Sequence, residues 1–237
     1  MATISEGVKI ERLIQKQVRL WEAERKSGEK QAEKFSKGRG SYIAISRDYG
    51  AGGLQIGKRL AKELNWHLFD QEVVEYIATE AKVRRSVVES FDEKIQSEIA
   101  TWVHTLLNRH ALDKEHYLKH LSHVLFSLAQ HGNAIFIGRG ARFILPERQG
   151  LRVKITAPFN RRVQNLMKFH GLDKIEAQKF IEKMDGNRLA FIRRNFHKEA
   201  DDLAFFDLIL NTGFIELDNA VKIIITALVN KLGWNLA

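Results

Sequence analysis

The residues whose types and spacing best fit a chemical task lie in a glycine-rich turn near the start of the chain. An apolar segment, residues 42–46, precedes the turn, and an amphipathic segment from about residue 53 to residue 64 follows it. In such a layout, backbone N–H groups and a helix N-terminus face an anion, and glycines let the backbone approach a phosphate closely. The residues expected to bind phosphate are Ser46, Arg47, Tyr49, Gly50, Ala51, Gly52, Gly53 and Leu54. The alternative is a plain glycine turn between a strand and a helix.

The turn lacks the Gly-Lys-Ser/Thr ending of the standard nucleotide-binding P-loop. Gly53 stands where the lysine is expected, and Leu54 stands where the magnesium-binding hydroxyl is expected. Lys58 lies about one helical turn further along and is expected to point away, so Arg47 is the better candidate to replace the lysine. Ser46 offers a hydroxyl group for magnesium. The turn therefore points to nucleotide chemistry without the usual lysine.

The composition favours an anionic ligand and limits the other possibilities. The chain has 237 residues and a formal net charge of +9, although lysines that only solvate helices would explain this charge equally well. Cysteine is absent, which excludes disulfides and thiolate metal sites and favours a cytoplasmic location. We expect no membrane span, because no apolar run is long enough, and no secretory signal, because residues 1–12 are polar and charged.

Short apolar segments alternate with amphipathic ones, which predicts an α/β fold with a parallel sheet. The expected strands are residues 42–46, 66–69, 133–137, 151–155 and 207–211. Helices are expected over residues 53–64 and 216–232, and residues 71–131 are expected to be mostly helical. Ligands bind at the carboxyl ends of strands in such sheets, and the glycine turn, Asp70 and Arg139 all fall there.

The N-terminal segment predicts one charged helix over residues 5–35, followed by a linker over residues 36–40. A narrow apolar stripe on this helix is formed by Ile10, Leu13, Ile14, Val18 and Trp21. The stripe could dock on the main domain, on a second copy of the chain, or on another protein. The sequence does not choose among these three.

Residues 46–53 match the pattern Ser-Arg-x-Tyr-Gly-x-Gly-Gly, and the chain resembles the cytidylate kinase-like family over about residues 41–232. Further matching segments are residues 56–61, 69–70, 138–139, 185–188 and 207–212. The resemblance implies a nucleoside monophosphate kinase with a three-layer P-loop fold and a five-stranded parallel sheet. It divides the chain into a charged helix and linker (1–40) and a kinase-like domain (41–237), which includes a helical acceptor-binding insertion (71–131) and a basic lid (182–204).

The resemblance also implies ATP and Mg²⁺ as cofactors and CMP or dCMP as the leading phosphoryl acceptor. The implied acceptor-binding residues are Asp70, Arg139 and Asp185. The residues implied to stabilise charge on the transferring phosphoryl group are Arg47, Arg188, Arg193 and Arg194. Three alternatives concern individual residues. Asp70 could be a helix N-cap, Arg139 could be a surface arginine in a turn, and Asp185 could form an exposed ion pair with Arg188 one helical turn away.

A non-catalytic nucleotide-binding sensor or scaffold on the same fold remains open. It is favoured by Gly53 and Leu54, and by Gly140, which stands where cytidylate kinases have an aspartate directly after the arginine. Arg142 follows two positions later. Nucleotides are therefore the expected partners under both interpretations, and a homo-oligomer or a protein partner could bind through the N-terminal helix.

Two further kinds of site are less favoured by the sequence. Lys154, Arg161 and Arg162 form part of a basic face, but without interleaved aromatic residues they make nucleic-acid binding a distant third hypothesis. His116 and His120 are four residues apart and His123 follows them, but no Glu-x-x-His pattern accompanies them, and catalytic zinc needs a third ligand of the right geometry. No metal site is therefore expected.

Overall fold

The computed structural model describes residues 11, 12, 14–16, 18, 19, 21, 41–91, 93–109 and 116–234. The chain divides into two compact units. The first, which we call the helical unit, comprises Met1–Ser41 and Phe69–Ala134, and the second, the sheet unit, comprises Tyr42–Leu68 and Ile135–Ala237.

A five-stranded parallel sheet organises the fold and confirms the predicted fold class. Its strands are β1 (Tyr42–Arg47), β2 (His67–Phe69), β3 (Ala134–Ile137), β4 (Gly150–Thr156) and β5 (Leu208–Asn211), in the order β2-β3-β1-β4-β5. Tyr42 lies opposite Gly150 and Arg47 opposite Ile155, so the carboxyl ends of β1 and β4 meet at one edge of the sheet. Each strand lies within one or two residues of its predicted position.

From Tyr42 onward, the α-helices of the described residues follow the predicted alternation with strands. They are α1 (Gly53–Leu64), α2 (Gln71–Thr79), α3 (Ala81–Glu89), α4 (Glu93–Arg109), α5 (His116–Gln130), α6 (Ala141–Ile144), α7 (Phe159–His170), α8 (Lys174–Phe196) and α9 (Leu217–Leu232). Short 3₁₀ turns occur at Glu147–Gln149 and Leu203–Phe205.

The core of the sheet unit forms because its central strands are apolar along most of their length. All four residues of β3 are buried, and Ile43 and Ile45 of β1 are almost completely inaccessible. Strands buried on both faces need such continuous apolar runs. Ile56 of α1 and Ile224 of α9 belong to the same apolar cluster. Since the core fixes β1, it also fixes the point at which the glycine turn begins.

The helical unit buries the apolar side of the N-terminal residues that are described. Those residues are helical, and Ile14, Val18 and Trp21 are buried. The Trp21 ring stacks on the His131 ring of the same unit, with centroids 3.7 Å apart. These residues therefore dock on their own chain, whereas Ile10, Leu13 and the rest of the predicted 5–35 helix and 36–40 linker lie outside the described residues. In the part of the chain that is described, no helix is long and apolar enough to cross a membrane.

Candidate functional site

The turn between β1 and α1 has a backbone conformation that favours glycine at two positions. Gly50 and Gly52 have φ angles of 83° and 84°, which side chains with a Cβ rarely adopt. A Cβ at Gly50 would lie 2.9 Å from Leu166 Cδ1 and 3.0 Å from the Arg162 carbonyl oxygen. Glycine at position 50 is therefore required both by the backbone and by the close approach of α7.

Hydrogen bonds from three other elements anchor this turn. The Tyr49 N–H donates to Asp185 at 3.0 Å, Asn165 Nδ2 donates to the Gly50 carbonyl at 2.8 Å, and the Thr212 hydroxyl donates to the Ala51 carbonyl at 2.7 Å. The donors and acceptors come from α7, α8 and the segment after β5. A turn held in this way is preorganised, which reduces the ordering that a bound anion would require.

The N-terminus of α1 presents unpaired amide donors at the end of the turn. Gly52 is the N-cap and has no side chain to cap the helix, and the first turn contains no acidic residue. The first amides of any helix lack partners within the helix and carry the positive end of its dipole. The turn and the helix together have the geometry of an anion site.

A cavity of about 770 Å³ opens beside the turn, within the sheet unit. Its walls are formed by residues 47–55, by α7 and by residues 212–217. Arg47, Arg59, Arg161 and Lys168 line it as cations. A cavity of this volume falls in the range that holds a small-molecule ligand or cofactor.

An ion network centred on Asp48 joins the end of β1 to β4 and α8. Asp48 accepts hydrogen bonds from Lys154 Nζ at 2.5 Å, from the Thr156 hydroxyl at 2.6 Å and from Arg188 Nη2 at 3.3 Å. Lys154 and Arg188 also reach Asp201, at 2.8 and 3.1 Å. The Lys154 side chain is nearly buried, so its charge depends on these two carboxylates.

The Asp201 carboxylate of this network is held in the ionised state. Burial acts to raise the pKa of Asp201, but hydrogen bonds from Lys154 and Arg188 outweigh it and lower that pKa to about 2. Asp201 is therefore charged at neutral pH. Two carboxylates, Asp48 and Asp201, thus balance the two cations of the network.

Arg142 adds a buried positive charge next to the network. It is 5% exposed, and its guanidinium lies 4.2 Å from the centroid of the Phe143 ring and 4.5 Å from that of Phe206. It donates to the Ser46 hydroxyl and to the Ala200 carbonyl. Burial, followed by the charge of Arg188, lowers the pKa of Arg142 to about 10. The guanidinium therefore remains charged at neutral pH.

The predicted acceptor arginine, Arg139, lies in the turn after β3. Its φ angle is 50°, and its guanidinium carbon lies 5.0 Å from the centroid of the Phe191 ring of α8. The next residue, Gly140, has a φ of 68°, and a Cβ there would lie 2.3 Å from atoms of the Phe196 ring. Position 140 therefore has no room for the aspartate that cytidylate kinases have in this place.

Two further predicted site residues have structural partners, and for Asp70 the structure confirms the helix N-cap alternative that the sequence offered. Asp185 does not pair with Arg188, so the alternative of an exposed ion pair one helical turn apart was wrong. Asp185 instead accepts hydrogen bonds from Arg162 at 2.5 Å and from the Tyr49 amide of the glycine turn. Asp70 is the N-cap of α2, accepting from the amides of the second and third residues after it, and it belongs to the helical unit. The acceptor-binding roles of Asp70 and Asp185 remain predictions.

The other arginines of the predicted lid lie near the end of α8, which extends through most of residues 182–204. Arg193 pairs with Glu199 at 2.9 Å, and Arg193 and Arg194 are exposed. The structure thus places Arg188 in the ion network beside the glycine turn and the other two on the surface. Their roles at a phosphoryl group remain predictions.

Side chains suited to hold magnesium are not found at the turn. Leu54 has no oxygen, the Ser46 hydroxyl oxygen accepts from Arg142, and both oxygens of Asp48 already accept hydrogen bonds. Among the described residues there is also no cluster of three or more His, Cys, Asp or Glu side chains suited to a metal. The residues do not fit a magnesium ion ligated by this loop, so an ion that arrives with ATP would have phosphate and water ligands.

Sequence reasoning missed the centre of the network, although one signal was available. Lys154 stands inside the apolar strand β4, although the sequence interpretation assigns it to a basic face together with Arg161 and Arg162. A lysine in a buried strand must find a carboxylate, which is an indication of a charged site. Asp48 and Asp201 carry no comparable signal, because they lie in turns where aspartate is common.

The strand order, the glycine turn and the cations at the carboxyl ends of the strands define a P-loop kinase-like protein. More narrowly, the profile of the cytidylate kinase-like family matches residues 42–213, and the chain belongs to that family. A comparison with curated proteins found no match.

Solved structures to which this chain is similar come from several bacteria. An uncharacterized protein from Eubacterium ventriosum ATCC 27560 has a TM-score of 0.62 and 23% identity, covering 78% of this chain and 96% of its own. Shikimate kinase from Bacteroides thetaiotaomicron has a TM-score of 0.39 and 17% identity, with coverages of 77% and 94%. Dephospho-CoA kinase from Campylobacter jejuni has a TM-score of 0.35 and 14% identity, with coverages of 80% and 98%. The first of these likenesses supports the fold.

Proposed function

We propose that this protein transfers the γ-phosphoryl group of ATP to a nucleoside monophosphate, with CMP or dCMP as the leading acceptor. One observation carries the proposal: an anchored glycine turn and the open N-terminus of α1 lie beside a cavity of about 770 Å³ with cationic walls. Membership of the cytidylate kinase-like family supports the same reaction class. Nucleotides are therefore the proposed ligands, and a cytoplasmic location remains a prediction.

In this proposal the loop amides of Gly50 and of Gly52 to Leu54 bind the donor phosphates, since the Ala51 amide already donates to the Asp48 carbonyl, and Arg47 adds positive charge on the cavity side. Arg188 stabilises the charge that develops on the transferring phosphoryl group, and Arg139 binds the acceptor phosphate through its guanidinium fork. Magnesium bound to the ATP phosphates would supply further charge neutralisation without a ligand from this loop. Phosphoryl transfer with a loose transition state relies mainly on such positioning and charge, so no side chain is assigned as a general base.

A non-catalytic nucleotide-binding protein is the second candidate, and a specific observation favours it. Arg188 is engaged by two carboxylates, Asp48 and Asp201, at 3.3 and 3.1 Å. An arginine held in this way must exchange carboxylates for phosphate before it can assist transfer. Leu54 also leaves the loop without the hydroxyl that holds magnesium in standard P-loops.

The test is phosphoryl transfer from ATP and Mg²⁺ to a panel of nucleoside monophosphates, with ATP binding measured on the same samples. Arg139→Ala should abolish most of the turnover, while Arg148→Ala, an exposed arginine in the 3₁₀ turn Glu147–Gln149, should leave it unchanged. ATP binding without turnover on any acceptor would support the non-catalytic nucleotide-binding protein instead of the kinase. Absence of both would contradict the proposal.

A further inference from the structure

The loop departs from the standard P-loop at both ends, and the two departures are related. When the spacing Gly-x-x-x-x-Gly-Lys-Ser/Thr is laid on this chain, Gly52 takes the second glycine position. Arg47 then stands at the first glycine position, and Gly53 stands at the lysine position. A cation and a glycine have thus exchanged places across the turn.

The structure gives a steric reason for this exchange. Arg47 is the last residue of β1 and Gly53 is the first residue of α1. A Cβ built on Gly53 would lie 2.7 Å from Arg47 Cβ and 3.0 Å from Arg47 Cγ. The position of the Arg47 Cβ is set by the backbone, so a rotamer change, which can move only Cγ and the atoms beyond it, cannot remove the overlap at Cβ. Only one of the two positions can carry a side chain without movement of the backbone.

The placement of Arg47 suits the charge that the missing lysine would supply. Arg47 lines the cavity together with the loop residues, and it is partly buried. The Arg47 Cβ and Cγ lie beside the Cα of Gly53, which is the first residue of α1, where the helix amides begin. The guanidinium of this cavity-lining side chain carries a permanent charge and a fork of donors that matches phosphate oxygens.

We propose that Arg47 supplies the phosphate-binding charge that lysine supplies in standard P-loops, and that Gly53 is required because Arg47 occupies the adjacent space. This inference rests on the proposed nucleotide binding at the same loop. It also makes a specific statement about sequence: the cation can sit at position 47 or at position 53, but the glycine must occupy the other position.

The experiment is a swap of the two residues in the full chain, read by calorimetric titration with ATP and Mg²⁺ and by thermal unfolding without nucleotide. Arg47→Gly should weaken ATP binding at least about tenfold, as expected for the loss of one charge-assisted contact. Gly53→Lys alone should lower the unfolding temperature because of the overlap with Arg47. The double variant Arg47→Gly with Gly53→Lys should recover both the unfolding temperature and the affinity to within about threefold.

Two single variants keep the test decisive if the double variant does not fold. Arg47→Gln keeps most of the side-chain volume without its charge and should bind ATP about as weakly as Arg47→Gly. Lys58→Ala, which removes an exposed cation from α1, is the control and should bind as the wild type does. Wild-type affinity in Arg47→Gln, or a folded double variant that binds no better than Arg47→Gly, would overturn the inference alone. A wild-type chain that binds no ATP would overturn the proposed function as well.

Discussion

Two glycine turns leave neighbouring strands of the sheet at their carboxyl ends, and they have different surroundings. The first turn follows β1, the second follows β3, and each comes after a buried apolar strand. Each contains residues with positive φ: Gly50 and Gly52 in the first, and Gly138, Arg139 and Gly140 in the second. Each leads directly into a helix. On local sequence alone, both would qualify as anion sites.

The difference lies in the length of the helix that follows each turn and in the cavity that the first turn lines. The first turn leads into the twelve-residue helix α1, and its N-terminus opens on a cavity. The second leads into α6, which has four residues, and the ring of Phe196 lies against Gly140. In the second turn, side chains rather than backbone amides carry the positive charge. Arg142 is buried, and the Arg139 guanidinium lies over the Phe191 ring. Side chains also approach the glycines of the first turn, such as Leu166 at Gly50, so the longer helix and the cavity are what distinguish the first turn as a backbone anion site.

The largest expected effect comes from filling the space at the second turn. Gly140→Asp should lower the free energy of unfolding by about 3 kcal/mol, because the new Cβ overlaps the Phe196 ring and the backbone is left-handed. Gly171→Asp is the matched control, since its φ is 66° and no atom lies within 4 Å of a Cβ there. The control should lose about 1 kcal/mol. Urea unfolding measures both, and equal losses would show that the ring is not the cause.

A somewhat smaller loss of stability is expected when Asp48, the residue that follows β1, is changed. Asp48→Asn should lower the free energy of unfolding by about 2 kcal/mol, since the nearly buried Lys154 loses one of its two carboxylates. Asp218→Asn removes an exposed partner of Arg59 and should cost less than about 0.5 kcal/mol. Urea unfolding of both variants checks this order. A loss in Asp48→Asn no larger than in the control would mean that the network does not stabilise the fold.

The pH dependence of stability should report the same network. The pKa of Asp201 is lowered from its ordinary value of 3.8 to about 2, so the unfolded chain takes up this proton first as the pH falls. The stabilisation from Asp201 is complete at pH values above its ordinary pKa of 3.8. It is lost as the pH falls from there to the pKa of the folded chain, about 2. Because the side chain is 58% exposed, we expect about 1 kcal/mol.

The measurement is urea unfolding at a series of pH values from about 5 to about 2, for the wild type and for Asp201→Asn. The wild type should lose about 1 kcal/mol more over this range than the variant does. Parallel pH profiles for the two chains would show that Asp201 is not held by the network.

The smallest effect concerns a glycine that lies outside both turns. Gly186 is inside α8, and a Cβ there would meet no atom within 4 Å. Gly186→Ala should raise the free energy of unfolding by about 0.5–1 kcal/mol, because alanine loses less backbone entropy in a helix. Gly57→Ala in α1 should instead destabilise, since its Cβ would lie 2.8 Å from Ile137 Cδ1. Thermal unfolding should show opposite signs, and the same sign in both would contradict the packing argument.

The fold was largely predictable from the sequence, whereas the site was predictable only in part. Apolar runs and glycine positions located all five strands and the closing helix to within one or two residues. The hydrogen-bond partners of individual site residues were harder to predict. Asp185, for example, accepts hydrogen bonds from Arg162 and from the Tyr49 amide rather than from Arg188. Helical spacing indicates which residues are close along one helix, but it cannot indicate a loop that packs against that helix.

The sequence by itself determined the strand–turn–helix layout, because hydrophobic periodicity and glycine act over a few neighbouring residues. Only the tertiary structure decided which distant residues meet, as with Lys154 and Asp48, which lie 106 positions apart. The same holds for the ring of Phe196 over Gly140, and for the overlap that keeps position 53 a glycine beside Arg47. Such contacts depend on how the elements pack, and packing is specified by the whole core rather than by any local pattern.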